Sequence, residues 1–169
     1  MAATAAELIA LLGLQRHPTC GFVARTFESS VTLPADALPA AFPTARPAGA
    51  VLCFLVTTDA HVVMHRIPAD QMYHHYQGDP LEVLLLYPDG RGEVRTMGQD
   101  LQGGQRPQLL IPAGTFHMSR PNGPLGWSLL GTSEWIGVEP TDVEQGDRTR
   151  LTAAYPAMAA AIASFMGAG

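Results

Sequence analysis

Between Val51 and Trp135 the chain keeps returning to one pattern: a short run of apolar, β-branched and aromatic residues, stopped by glycine, proline or aspartate. The runs are Val51–Thr57, His61–Arg66, Gln71–Tyr76, Leu81–Tyr87, Gly92–Met97, Gln108–Ile111, Thr115–Ser119 and Trp127–Trp135. Several alternate with the two-residue period of a strand, in which successive side chains face opposite sides. In Pro88-Asp89-Gly90 the proline presets φ and the glycine supplies φ > 0, which closes a tight turn. Short strands at this spacing predict an all-β barrel or sandwich.

The flanks read differently. Residues 4–14 predict a short helix, with Leu8, Leu11, Leu12 and Leu14 near helical spacing, Thr4 as N-cap and Glu7 completing a capping box. Phe22–Val31 has strand composition, and Pro34–Pro47 is an irregular connection holding four prolines. Asp147, Arg148 and Arg150 lead into a helix over Leu151–Met166, interrupted at Pro156. The whole span 1–169 is expected to form one domain.

Composition removes several classes of function. All ten basic side chains are arginine. Without lysine there is no enzyme Schiff base, no pyridoxal-phosphate anchor and no phosphate-loop lysine. The formal charge is −5 and only 15% of residues are charged, against about 25% in an average soluble domain. No basic field exists to draw in nucleic acid or an anionic membrane surface. The sequence has no apolar stretch of spanning length and starts without a basic leader segment, and Cys20 and Cys53 fit a reducing compartment, so a cytoplasmic protein is expected.

Strand alternation then sorts the polar residues. His61, Val63 and His65 share one face of their run, opposite Val62, Met64 and Arg66. Gln71, Tyr73 and His75 share a face, opposite Met72, His74 and Tyr76. Ser128, Leu130, Thr132 and Glu134 do the same in the last run. Arg66 is expected to pair with Asp70 or Asp79.

The stretch from His65-Arg66 through Gln71, Tyr73 and His75 to Gly78-Asp79-Pro80-Leu81 resembles the first cupin motif, and Pro112-Ala113-Gly114-Thr115-Phe116-His117 resembles the second. With His17-Pro18, Gly21-Phe22, Pro88-Asp89-Gly90, Pro107-Gln108, Gly146-Asp147-Arg148 and Tyr155-Pro156, the blocks resemble the cupin_5 (DUF985) group of small cupins. That resemblance implies a cupin double-stranded β-helix, or jelly-roll, barrel with short N-terminal and C-terminal helices, a ligand pocket at the barrel mouth and a homodimer. The apolar run 51–57 is the candidate for pairing across the dimer.

The departures from the pattern shape the expected site. Metal-binding cupins place two histidines and a glutamate in the first motif and one histidine in the second. Here His65 is kept, Ile67 replaces the second histidine, Gln71 replaces the glutamate, and His117 completes the set. Neutral amides bind first-row divalent metals poorly, so no metal or other cofactor is expected. Thr19 and Cys20 stand in the entrance segment where the group carries acids, Arg25 stands where an acid is common, and Tyr73 replaces a tryptophan. Catalytic roles are therefore expected for His65, His117, Glu134 and Tyr73. Substrate binding is expected at Arg25, Gln71, Phe22, Cys20, Phe54 and Trp127, with Arg25 as a bidentate carboxylate clamp. Glu134, if buried among Leu130, Trp127 and Trp135, would have its pKa raised and serve as an acid or base.

Three functions fit these residues. The first is a metal-independent enzyme using acid–base chemistry on a small, aromatic, carboxylate-bearing substrate in a specialised biosynthetic pathway: an isomerisation or epimerisation, or a condensation–cyclisation of Pictet–Spengler type. The second is a metal-dependent cupin such as a dioxygenase, using His65, Gln71 and His117. The third is a non-catalytic module for a small ligand.

Overall fold

The computed structural model describes residues 3–167. Thr4 caps helix α1 (Ala5–Leu11) with the expected box: its side chain accepts from the Glu7 N–H and Glu7 reaches back to the Thr4 N–H. Strands β1 (Gln15–His17), β2 (Gly21–Glu28), β3 (Thr32–Leu33) and β4 (Arg46–Pro47) follow, the last two bracketing the proline-rich connection. Then come β5 (Gly49–Thr57), β6 (Val62–Arg66), β7 (Asp70–Gly78), β8 (Leu81–Leu86) and β9 (Gly92–Met97). The strands end with β10 (Gln108–Ile111), β11 (Phe116–Pro121), β12 (Trp127–Trp135) and β13 (Glu144–Gln145). Helices α2 (Arg148–Ala154) and α3 (Ala159–Met166) close the chain, separated at Pro156 as the sequence predicts.

All strand pairs are antiparallel, in two main sheets ordered β1-β2-β5-β12-β7-β10 and β13-β6-β11-β8-β9. They face each other as a jelly-roll barrel, with Phe54, Val56, Tyr73, Val83, Leu85, Ile111 and Leu130 between them. Outside the second sheet, Met64, Leu84, Leu86, Phe116 and Met118 pack under α2 and α3 through Leu151, Ile162 and Phe165. Outside the first, Leu8 and Leu14 cover Phe22, Leu55, Trp127 and Leu129. Burying these two outer faces makes the terminal helices part of the core rather than appendages. No helix among the described residues is long and apolar enough to cross a membrane.

Three expectations are corrected by this packing. Phe22 and Trp127 sit on the outer face beneath α1, so neither reaches the barrel interior. Trp135 is exposed, and by alternation both tryptophans face away from Glu134. Both edges of β5 are taken, by β2 and β12, so the 51–57 run has no free edge to offer a second copy.

In β6 simple alternation fails. His65 pairs with His117 but Val62 pairs with Ser119, so three steps on β6 match two on β11. The extra residue is a β-bulge, which re-aims side chains. Val62 consequently joins the interior cluster while Met64 packs outside, although the period-two pattern put them on one face.

Candidate active site

A cavity of about 440 Å³ opens between the two sheets, within the range of small-ligand sites. The six-stranded sheet contributes its inner row: Val23 and Arg25 from β2, Leu52 and Phe54 from β5, Thr132 and Glu134 from β12, and Gln71 and Tyr73 from β7. Strand register explains the grouping. Glu134 lies directly across from Gln71, and Thr132 from Tyr73. His65 faces this row from β6 in the other sheet, beside Ile67.

Cys20 and Thr19 enter the cavity on the segment leading into β2. Gly21 (φ 70) makes that approach feasible: a Cβ there would come within 2.5 Å of the Leu55 carbonyl oxygen, so only glycine lets the segment lie this close to β5.

The rim comes from the residues after β12. Ile136 holds φ 80, a conformation that is costly for a β-branched side chain. Its N–H and that of Gly137 bond to the carbonyls of Ala48 and Pro47. The chain turns back there, bringing Val138, Glu139, Pro140 and Val143 over the cavity. From outside, the Arg46 guanidinium grips Asp142 as a bidentate fork, Nε to Oδ2 at 2.9 Å and Nη2 to Oδ1 at 2.7 Å. Both side chains are 3% exposed. Arg66, expected to pair with Asp70 or Asp79, instead bonds Glu144 on β13. Asp70 accepts from the Ala113 N–H, and Asp79 from the Gly126 N–H.

Four groups carry the electrostatics. Glu134 is 7% exposed. Burial among apolar walls pushes its carboxyl up to about 7, although the Val138 N–H and the Arg25 charge pull it the other way. Burial also holds His65 below its ordinary value, against the hydrogen bond to Val63 and aided by the field of His17. His117, fully buried, is held well below it by desolvation and then by His65. Tyr73 is raised well above a free phenol by burial.

Hydrogen-bond partners fix the tautomers. His65 Nδ1 lies 2.8 Å from the Val63 carbonyl oxygen; a carbonyl only accepts, so Nδ1 carries the proton and Nε2 keeps its lone pair. His117 Nδ1 likewise faces the Thr115 carbonyl oxygen at 3.4 Å. Its Nε2 therefore accepts from the Tyr73 hydroxyl at 3.0 Å. The His65 and His117 rings lie 4.3 Å apart.

Of the residues singled out from the sequence, the structure brings His65, Tyr73, Glu134, Arg25, Gln71, Cys20 and Phe54 to one cavity. His117 lies behind it, touching Tyr73 and His65. Arg25 is committed: its guanidinium pairs with Glu28 and donates to the Val138 carbonyl at 3.2 Å. Sequence reasoning gave no site role to His17, Glu139, Val143 or Gln145, all of which line the cavity. His17 stood inside a recognised motif block. The others reach the site only through the turn at Ile136, which local pattern does not announce.

The residues do not fit a cupin metal centre. Ile67 offers no donor, Gln71 offers a neutral amide, and His117 Nε2 already accepts the Tyr73 proton. Among the described residues no three His, Cys, Asp or Glu side chains converge as ligands.

A family model for Cupin_5, described as Cupin superfamily (DUF985), matches residues 6–145. A crystal structure of a Shewanella oneidensis protein is similar at 28% identity with TM-score 0.83, over 97% of this chain and 98% of that one. A hypothetical protein from Leishmania major is 23% identical with TM-score 0.83, over 96% and 98%. An oxalate decarboxylase from Bacillus subtilis shares the fold at 11% identity and TM-score 0.52, over 89% of this chain and 36% of that one. No curated protein matches the chain.

Proposed function

The chain belongs to the Cupin_5 (DUF985) family of the cupin superfamily, and from that premise we propose that it is an acid–base enzyme acting on a small molecule in the barrel cavity, without a metal. The observation that carries this reading is the pairing of two proton-transfer groups across one apolar space. Glu134, with its carboxyl near 7, stands on the six-stranded sheet, and His65, with a free Nε2 lone pair, stands on the other. A carboxyl poised near neutrality donates or accepts a proton with little penalty either way.

In this scheme the neutral His65 takes a proton from the substrate while protonated Glu134 delivers one to its opposite side, and the roles exchange on the reverse step. Tyr73 positions the substrate edge with its oxygen, its own proton being held by His117. Phe54, Leu52 and Val23 supply the apolar bed and exclude water, which strengthens each electrostatic contact. Proton shuttling of this kind serves isomerisation, epimerisation or a Pictet–Spengler-type ring closure, the last needing an acid to form the iminium and a base to strip the ring proton. The two free cysteines support a cytoplasmic setting.

The test is turnover in deuterated water. Candidate carbonyl, amine and hydroxy compounds are incubated with enzyme, and proton NMR follows loss of an exchangeable C–H or appearance of product. Activity should follow a pH profile with a limb near 7, and Glu134→Gln should remove that limb and lower kcat by about 10²-fold or more. A profile and rate unmoved in Glu134→Gln would exclude this role for the residue.

A further inference from the structure

Glu134 is buried and nearly unpartnered. Its carboxylate accepts one long hydrogen bond among the described residues, from the Val138 N–H at 3.4 Å. The nearest cation does not neutralise it by contact: the Arg25 guanidinium is taken by Glu28 and the Val138 carbonyl. Apart from Arg25, no arginine among the described residues lines the cavity, while Glu139 adds a second acid at the rim. His17 and His65 are both held below the ordinary imidazole range by burial, so they add no compensating positive charge. Cys20 and Tyr73, the other titratable groups near Glu134, stay neutral, each raised by desolvation. A buried carboxylate with one weak donor is costly unless something cationic joins it.

We infer that the cavity recognises a compound with an apolar, aryl-sized body and a protonated amine, the ammonium seated against the Glu134 carboxylate and the body lying on Phe54, Leu52 and Val23. This deepens the acid–base reading of the same cavity and rests on it. It also chooses between charges. A carboxylate-bearing ligand clamped by Arg25 would have to break the Arg25–Glu28 pair and approach two acids, whereas an ammonium completes a vacant ion pair. An amine substrate further accounts for a carboxyl on the wall: once the amine has condensed with a carbonyl compound and lost its water, Glu134 lies beside the resulting iminium cation.

The test uses an isosteric pair, phenethylamine and phenylpropionate, which share the aryl-ethyl body and differ in the sign of the terminal charge. Binding to the full chain and to Glu134→Gln is measured by titration calorimetry at about pH 8, where the wild-type carboxylate is mostly ionised. The amine should bind wild type at least about ten-fold more tightly than the carboxylate, and Glu134→Gln should erase the preference. In buffers of differing ionisation enthalpy near pH 7, amine binding should release a fraction of a proton from wild type and none from the variant. Equal or tighter binding of phenylpropionate, amine affinity unmoved by Glu134→Gln, or no amine binding would each overturn the inference. No turnover is read, so the outcomes separate. An amine preference without catalysis would sink only the enzymatic reading, and catalysis lost in Glu134→Gln with a carboxylate preference would sink only this one.

Discussion

The Tyr73 hydroxyl donates to His117 Nε2 across 3.0 Å, between two side chains that are 2% and 0% exposed. This pair stands where the cupin pattern puts a metal ligand, and it converts that histidine into a hydrogen-bond acceptor that holds Tyr73 at the cavity wall. Phe54 packs at 5.2 Å from the Tyr73 ring, centroid to centroid, fixing it from the other side. Tyr73→Phe should leave His117 Nε2 buried without a donor and lower stability by about 1–3 kcal/mol, read as a fall in the denaturant midpoint. In nitrogen NMR, His117 and His65 should both show the Nδ1-protonated tautomer in wild type; an Nε2-protonated His117 would break the assignment.

These two histidines also set the acid limb of stability. Their folded-state values lie below 6.5 while the unfolded chain protonates near 6.5. The unfolded state then binds more protons, so their contribution is complete above pH 6.5 and is lost as pH falls below it. With the opposing carboxyl of Glu134 removed by Glu134→Gln, urea midpoints should drop between pH 6.5 and 5, and adding His117→Phe should flatten that slope.

Glu134 works in the opposite direction. Its carboxyl rises from 4.5 in the unfolded chain to about 7 in the fold, so the folded state holds the proton over that window. Stability falls as pH climbs through it, by about 3 kcal/mol in total. Glu134→Gln, which is neutral at every pH, should match wild type near pH 4 and exceed it at pH 8. Paired thermal scans at the two pH values check this, and a variant weaker than wild type at pH 8 would mean the carboxylate has a partner in the fold.

The rim depends on one buried ion pair. Removing Arg46 leaves Asp142, whose carboxyl is held below its usual range by Arg46 despite its burial, without its cation. Arg46→Ala should cost about 3–5 kcal/mol. Hydrogen exchange should quicken at Val138 and Val143 before it does in β5 or β12. Uniform quickening across the barrel would show that the pair supports the whole fold and not the rim.

The donor set makes its own prediction. Wild type should retain less than about 0.1 first-row metal ion per chain after reconstitution and desalting, while Ile67→His combined with Gln71→Glu should retain more. Stoichiometric metal in wild type would return the dioxygenase-type alternative to the front.

Much of this was legible in the sequence because strands write themselves locally. The alternation in 71–76 grouped Gln71 with Tyr73, that in 128–134 grouped Thr132 with Glu134, and the structure turns both groups to the inner wall. The turn residues closed strands where glycine and proline stood. What escaped was set at a distance. The bulge that separates Val62 from Met64 arises from pairing with β11, and nothing within 61–66 marks it. Phe22 and Trp127, expected to bind substrate, are turned to the outer face by the packing of α1, which local pattern does not show. Arg25 did reach the cavity, but its hydrogen bond to the Val138 carbonyl depends on the turn at Ile136.

One carboxyl held near neutrality in an apolar cavity carries the proposed chemistry, and its titration is directly measurable. The chain is labelled with carbon-13 glutamate, and the Glu134 carboxyl resonance, assigned by its absence from Glu134→Gln, is followed from pH 4 to pH 9. The expected midpoint is about 7. A midpoint at or below the ordinary 4.5 would contradict the acid–base role of Glu134.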